Sequence, residues 1–92
     1  MVGYYAPCPE FDECGRLIRE YFQTGQYEEC FQGHLALAER GYPLAECQVG
    51  YFYYEGLGVE RDLEEARRWY RLAAAQGHAE AQAKCRLFFS SL

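Results

Sequence analysis

The sequence predicts an all-α fold of about two and a half helical hairpins, five helices and no strands. Three observations carry that expectation. Ala38, Gly41 and Ala45 recur as Ala74, Gly77 and Ala81, and Tyr27-Glu28-Glu29-Cys30 recurs as Leu63-Glu64-Glu65-Ala66, both at a shift of 36 residues. Gly25, Gly41, Gly56 and Gly77 punctuate segments of helix length, as residues that can enter the left-handed conformation closing a helix. Between them, apolar residues recur at three-to-four spacing.

Residues 1–9 form an N-terminal segment. A first helix is expected near residues 10–23, where Cys14, Ile18 and Phe22 make an i, i+4 stripe, and a second near 26–40, opening on Glu28 and Glu29. Pro43 behind Gly41-Tyr42 marks the start of a third helix, 43–55. Asp62 with Glu65 three residues on has capping-box spacing and starts a fourth, 62–76; a fifth covers 79–90. On the fourth helix Leu63, Ala66, Tyr70, Ala73 and Ala74 share one face with Trp69 beside them, and Glu60, Glu64, Arg67, Arg68 and Arg71 lie opposite. Glu64 precedes Arg67 and Arg68 by three and four residues, so these arginines read as a solvated, partly neutralised face worth about 0.3 kcal/mol per pair, not as an anion site. The small residues Ala45, Gly50, Ala66, Ala73 and Ala81 allow helices to approach closely.

Composition narrows the function. At 92 residues the chain fits one domain; half its residues are hydrophobic and 17% aromatic, nine of them Tyr, which excludes disorder. A net charge of −5 disfavours nucleic acid and acidic membrane surfaces, and favours a neutral or basic protein partner. The opening MVGYYAPCPEFDEC has neither a basic n-region nor a long apolar run, so no signal peptide or membrane span is expected and the location is read as cytoplasmic. Five cysteines, with no C-x-x-C, fit neither a disulfide framework nor a zinc knuckle.

The run Ala45, Val49-Gly50, Tyr53, Gly56, Gly58-Val59, Asp62, Ala66, Trp69-Tyr70, Ala73-Ala74, Gly77, Ala81 resembles the Sel1-like repeat, a relative of the tetratricopeptide repeat, over residues 38–81. The resemblance implies a single domain: a degenerate first repeat at 10–41, a full repeat at 42–77 and a capping half repeat at 78–92. It further implies a short α/α solenoid that scaffolds protein complexes, without catalysis. In the first unit Gly33-His34 replaces Trp-Tyr; in the last, Cys85-Arg86 replaces the apolar-Gly pair and Phe89 the Tyr. Glu46 and Ala74 stand where the cysteine-rich branch of the family would place its cross-link.

No catalytic, cofactor or metal residues are expected. His34 and His78 fall in different units without ligands at helical spacing, and the carboxylates Glu28, Glu29, Glu64 and Glu65 read as helix-start residues. Gly56-Leu57-Gly58-Val59 is the inter-helix loop of the repeat. By repeat correspondence Cys30 replaces the buried Ala66 and Cys85 the buried Val49, so both are expected in the core, whereas Cys8 and Cys47 are expected to be exposed.

What structure alone does not absorb is the run Tyr51-Phe52-Tyr53-Tyr54, because successive helix residues are spread by about 100°. Tyr53 takes the repeat's buried place, so others must reach a surface; in the implied fold, the first helix of each hairpin lines the concave wall. A protein-binding surface is therefore expected from Tyr51, Tyr54, Tyr21 and Phe88, rimmed by Glu46, Glu55 and Glu20. The function expected is a cytoplasmic adaptor, scaffold or inhibitor, with a bacterial immunity-type regulator as the family analogy. Two other readings stay open: a self-assembling homo-oligomer, such as a homodimer pairing through Tyr4-Tyr5 or Phe88-Phe89, and a thiol or metal protein using Cys8, Cys14 and Cys47.

Overall fold

The computed structural model describes residues 9–89. Helix α1, Pro9–Leu17, runs without a break into a π-helical turn at Ile18–Phe22, followed by α2, Tyr27–Ala38, α3, Pro43–Glu55, α4, Leu63–Ala75, and α5, Ala79–Phe89. No strand occurs among the described residues. Each helix packs on its sequence neighbour, α3 and α4 most extensively, and α1 also reaches α3. These are the expected hairpins in the expected order.

Local chemistry sets the boundaries. The Asp62 side chain accepts the Glu65 amide at 3.1 Å, capping α4. The capping box is only half made, because Glu65 pairs with Arg68 at 2.9 Å and the Asp62 amide donates to the Tyr53 carbonyl at 3.0 Å. The π-turn was not expected: the Gln23 amide skips a residue and donates to the Ile18 carbonyl at 2.9 Å.

Two buried clusters share α3. The first holds Cys14, Leu17, Cys30, Phe31, Leu37 and Phe52, with Trp69 from α4; the second holds Cys47, Ala66, Tyr70, Ala73, Ala81 and Phe89. Helix α3 is therefore covered from two sides, and this overturns the expected role of Tyr53. Phe52 is the core ring, 1% exposed, while Tyr53 is half-buried between the clusters. The cause lies in the first unit. Gly33 lets Leu17 come so close that a Cβ there would meet its Cδ2 at 2.6 Å, and the small His34 ring leaves space that Phe52 fills, 5.6 Å away between centroids. Phe31 meets Phe52 edge-on at 6.0 Å and Tyr53 edge-on at 5.3 Å.

Four further expectations are corrected. Cys47 is buried, not exposed, because α4 and α5 both close over its side of α3. Cys85, expected in the core, is half-buried because α5 packs mainly on α4 and is open elsewhere. Leu63 is exposed at the first position of α4, like its repeat equivalent Tyr27 at the first position of α2. Phe89, offered as an apolar end for pairing copies, instead closes the second cluster, its ring 6.3 Å from that of Tyr70. Tyr4, Tyr5 and Cys8 lie outside the described residues.

His34 is fully buried in α2. Its Nδ1 lies 2.9 Å from the Cys30 carbonyl, a contact that only Nδ1–H can make as donor, which leaves a bare, buried Nε2 without a partner among the described residues. Burial lowers the His34 pKa from its ordinary 6.5, and the Cys30 hydrogen bond opposes that shift. Below pH 6.5 the unfolded chain takes up a proton that the folded chain resists, so protons favour unfolding. His34's contribution is thus complete above pH 6.5, declines as pH falls below it and levels off once the folded-state value is passed. Urea midpoints at pH 7.5 and 5 should differ more in wild type than in His34→Asn; equal differences would contradict this assignment.

Candidate protein-binding surface

The surface expected from the aromatic run is partly assembled. Tyr54 on α3 and Phe88 on α5 stack face to face, centroids 4.5 Å apart and planes at 18°. Phe88 is exposed and Tyr54 half-buried, so the pair presents a continuous ring edge outward. Two cations that the sequence reading missed flank it. The Arg61 guanidinium sits 5.8 Å from the Tyr54 ring while its Nε donates to the Tyr54 carbonyl at 2.9 Å, and Lys84 Nζ sits 5.2 Å from the Phe88 ring. The i, i+4 spacing of Lys84 and Phe88 was the available signal for one of them.

Tyr51 is half-buried and touches both clusters, so it supports the surface from within. Tyr21 belongs elsewhere: it lines a shallow groove with Arg16, Glu28, Glu29 and Gln32, between α1 and α2, and no α3 residue takes part.

The acidic rim is largely corrected. Glu46 is 5% exposed and accepts a hydrogen bond from Gln76 Nε2 at 2.9 Å; the same nitrogen donates to the Gly41 carbonyl at 2.9 Å. Glu46 thus ties the start of α3 to the end of α4, since a carboxylate at that depth persists only when hydrogen-bonded. Glu20 is exposed but held by Arg16 at 2.8 Å, with Glu13 on the other side of the guanidinium at 2.8 Å. Glu55, which follows Tyr54 at the end of α3, is exposed as expected.

The arginines of α4 behave as a solvated face. Arg67 pairs with Glu64 and Arg68 with Glu65, and Arg68 also lies over the Trp69 ring at 4.6 Å. The furrow they line, about 440 Å³, is bounded by side chains of this one helix and is neutralised along most of its length.

Nucleophilic chemistry is suppressed at two buried thiols, Cys30 and Cys47. Burial pushes Cys30 up to about 11 and Cys47 up to about 12, the latter also raised by Glu80, so both stay protonated near neutral pH. Cys14 and Cys47 occupy different clusters, which separates two members of the expected thiol set. Cys47, His78 and Glu80, by contrast, bring one ligand-capable atom each within 4.8 Å of the others, a juxtaposition that helical spacing did not reveal. No helix among the described residues is long and apolar enough to cross a membrane.

The sequence model of the Sel1 repeat matches residues 43–78, which contain α3, α4 and the loop between them. Among curated proteins, the chain is 41% identical over 58 residues to the chitin synthase regulator SKT5 of Saccharomyces cerevisiae, a match covering 63% of this chain and 8% of that protein. It is 43% identical over 47 residues to the chitin synthase regulator SKT5 of Malassezia restricta, covering 51% of this chain and 3% of that protein. The chain therefore spans less than a tenth of the length of these relatives, and both are fungal, which lends no support to the bacterial analogy. No solved structure matches the chain significantly.

Proposed function

Since this chain carries a Sel1 repeat at residues 43–78, we propose that it is a non-catalytic protein–protein interaction module that holds a segment of another protein on its α3–α5 face. The observation that carries the reading is the Tyr54–Phe88 stack, with Arg61 over the Tyr54 ring, Lys84 over the Phe88 ring and Phe88 exposed to solvent. Such rings bury much area with few rotors to freeze, which is why interface hot spots favour them. The occupant contacts the rings with apolar side chains; steering by the net charge of −5 favours a partner that is basic overall, and salt slows its association. The relatives are regulators by name, and an adaptor or regulatory role in the cytoplasm is the form this module takes in our reading. The test is affinity capture from the native host with wild-type chain and with Tyr54→Ala/Phe88→Ala, comparing bound proteins by mass spectrometry. A protein held by wild type and lost from the variant supports the reading; recovery of the same proteins with both refutes this surface.

Self-assembly is the second reading, favoured by Leu87, which is 74% exposed beside Phe88. A monomer by light scattering at micromolar concentration removes it.

A further inference from the structure

A second site lies at the other end of the same two helices. Gly77, at φ +87°, closes α4 with the paired bonds of a Schellman motif: its amide donates to the Ala74 carbonyl at 2.9 Å and the His78 amide to the Ala73 carbonyl at 3.2 Å. The reversal sets His78 at the head of α5, its carbonyl accepting the Gln82 amide at 3.0 Å, and Glu80 in the first turn. Facing them on α3 is Cys47, 3% exposed. Ligand-capable atoms of the three lie within 4.8 Å of one another, and rotamer adjustment brings them to the roughly 3.5 Å edge of a tetrahedral zinc site.

An independent observation points to a ligand there. His78 Nε2 is buried and has no hydrogen-bond partner among the described residues, a state that proteins rarely leave unrelieved. Thiol, imidazole and carboxylate together suit a zinc-class cation better than a hard one such as magnesium.

We propose that Cys47, His78 and Glu80 bind one divalent cation of the zinc class, which staples α5 onto α3. The fourth position is open to water on the side of Glu80, the exposed member of the set. On binding, the Cys47 S–H bond breaks, its proton leaves to solvent and a sulfur–metal bond forms, with no change of oxidation state. The staple has a structural purpose. Helix α5 packs mainly on α4, and its C-terminal end is tied to α3 by the Tyr54–Phe88 stack, so an ion at the N-terminal end fixes the second point.

The test is titration of the purified, reduced full chain with Co²⁺ as a spectroscopic probe. The expected result is one ion per chain with a thiolate-to-cobalt charge-transfer band, displaced by Zn²⁺, and a melting temperature raised by roughly 11 to 22 °C at hundredfold excess of Zn²⁺ over its Kd. Cys47→Ser abolishes the band, and His78→Gln, which spares the core, weakens binding by about tenfold or more. Absence of the band at millimolar cobalt overturns the proposal. So does an undiminished band in His78→Gln, which also decides the matter if Cys47→Ser does not fold.

Discussion

Gly58→Ala is expected to destabilise the domain by about 3 kcal/mol, whereas Gly41→Ala costs only about 1 kcal/mol. Both glycines have positive φ, +69° and +89°, so both substitutions place a Cβ in the left-handed region. They differ in surroundings. A Cβ at Gly41 has nothing within 4 Å, while one at Gly58 presses into the first turn of α2, with the Tyr27 carbonyl carbon at 2.5 Å and the Glu28 amide nitrogen at 2.8 Å. Those are backbone atoms, held by the hydrogen bond from the Cys30 amide to the Gln26 carbonyl, and they cannot rotate away. Relief requires lifting the α3–α4 loop off α2, which loosens Leu57 and Val59 from the first cluster. In a domain of this size the change corresponds to a fall in melting temperature of roughly 12 to 24 °C. Thermal unfolding of the two variants side by side checks it; equal losses would show that the loop does not press on α2.

Phe52→Ala should cost about 3 to 5 kcal/mol, and Tyr53→Ala about 2 kcal/mol less than that. Phe52 is enclosed by Phe22, Phe31 and His34, with centroids at 6.1, 6.0 and 5.6 Å, so truncation leaves a cavity walled by the π-helical turn and by α2. Against a total stability of about 5 to 15 kcal/mol for a small domain, that loss removes a fifth of the stability at least and most of it at the low end of the range. Tyr53 keeps part of its ring in water, and its removal admits solvent instead of a void. Urea denaturation distinguishes them by midpoint, and a greater loss for Tyr53→Ala would restore it as the core ring.

The contrast between these two residues shows which parts of the architecture local sequence carried. Pro43, Asp62, Gly25, Gly41, Gly56 and Gly77 act within a few residues of where they stand, so the helix limits followed from capping and turn chemistry alone. The facing of residues 51–54 depended on α3 being covered from two sides, a tertiary fact that erases the apolar stripe which normally reveals a buried face. Glu46 misled for a related reason: a carboxylate near a helix start reads as solvated, and its burial involves a tertiary partner, Gln76, thirty residues away in the chain. The Tyr54–Phe88 stack was half legible, since both rings were expected on the surface but Arg61 and Lys84 beside them were not. The grouping of Cys47, His78 and Glu80 was hidden because it joins separate helices, where periodicity within one helix carries no information. The π-turn at Ile18–Phe22 has no residue that announces it.

The most direct measurement of the binding role is calorimetric titration of the captured partner against wild type and Tyr54→Ala/Phe88→Ala, with folding of both verified by circular dichroism. An α3–α5 binding face predicts at least about a thirtyfold loss of affinity, the effect of removing a hot-spot pair worth about 2 kcal/mol. Unchanged affinity in a folded variant would contradict it and move the contact to another surface of the repeat.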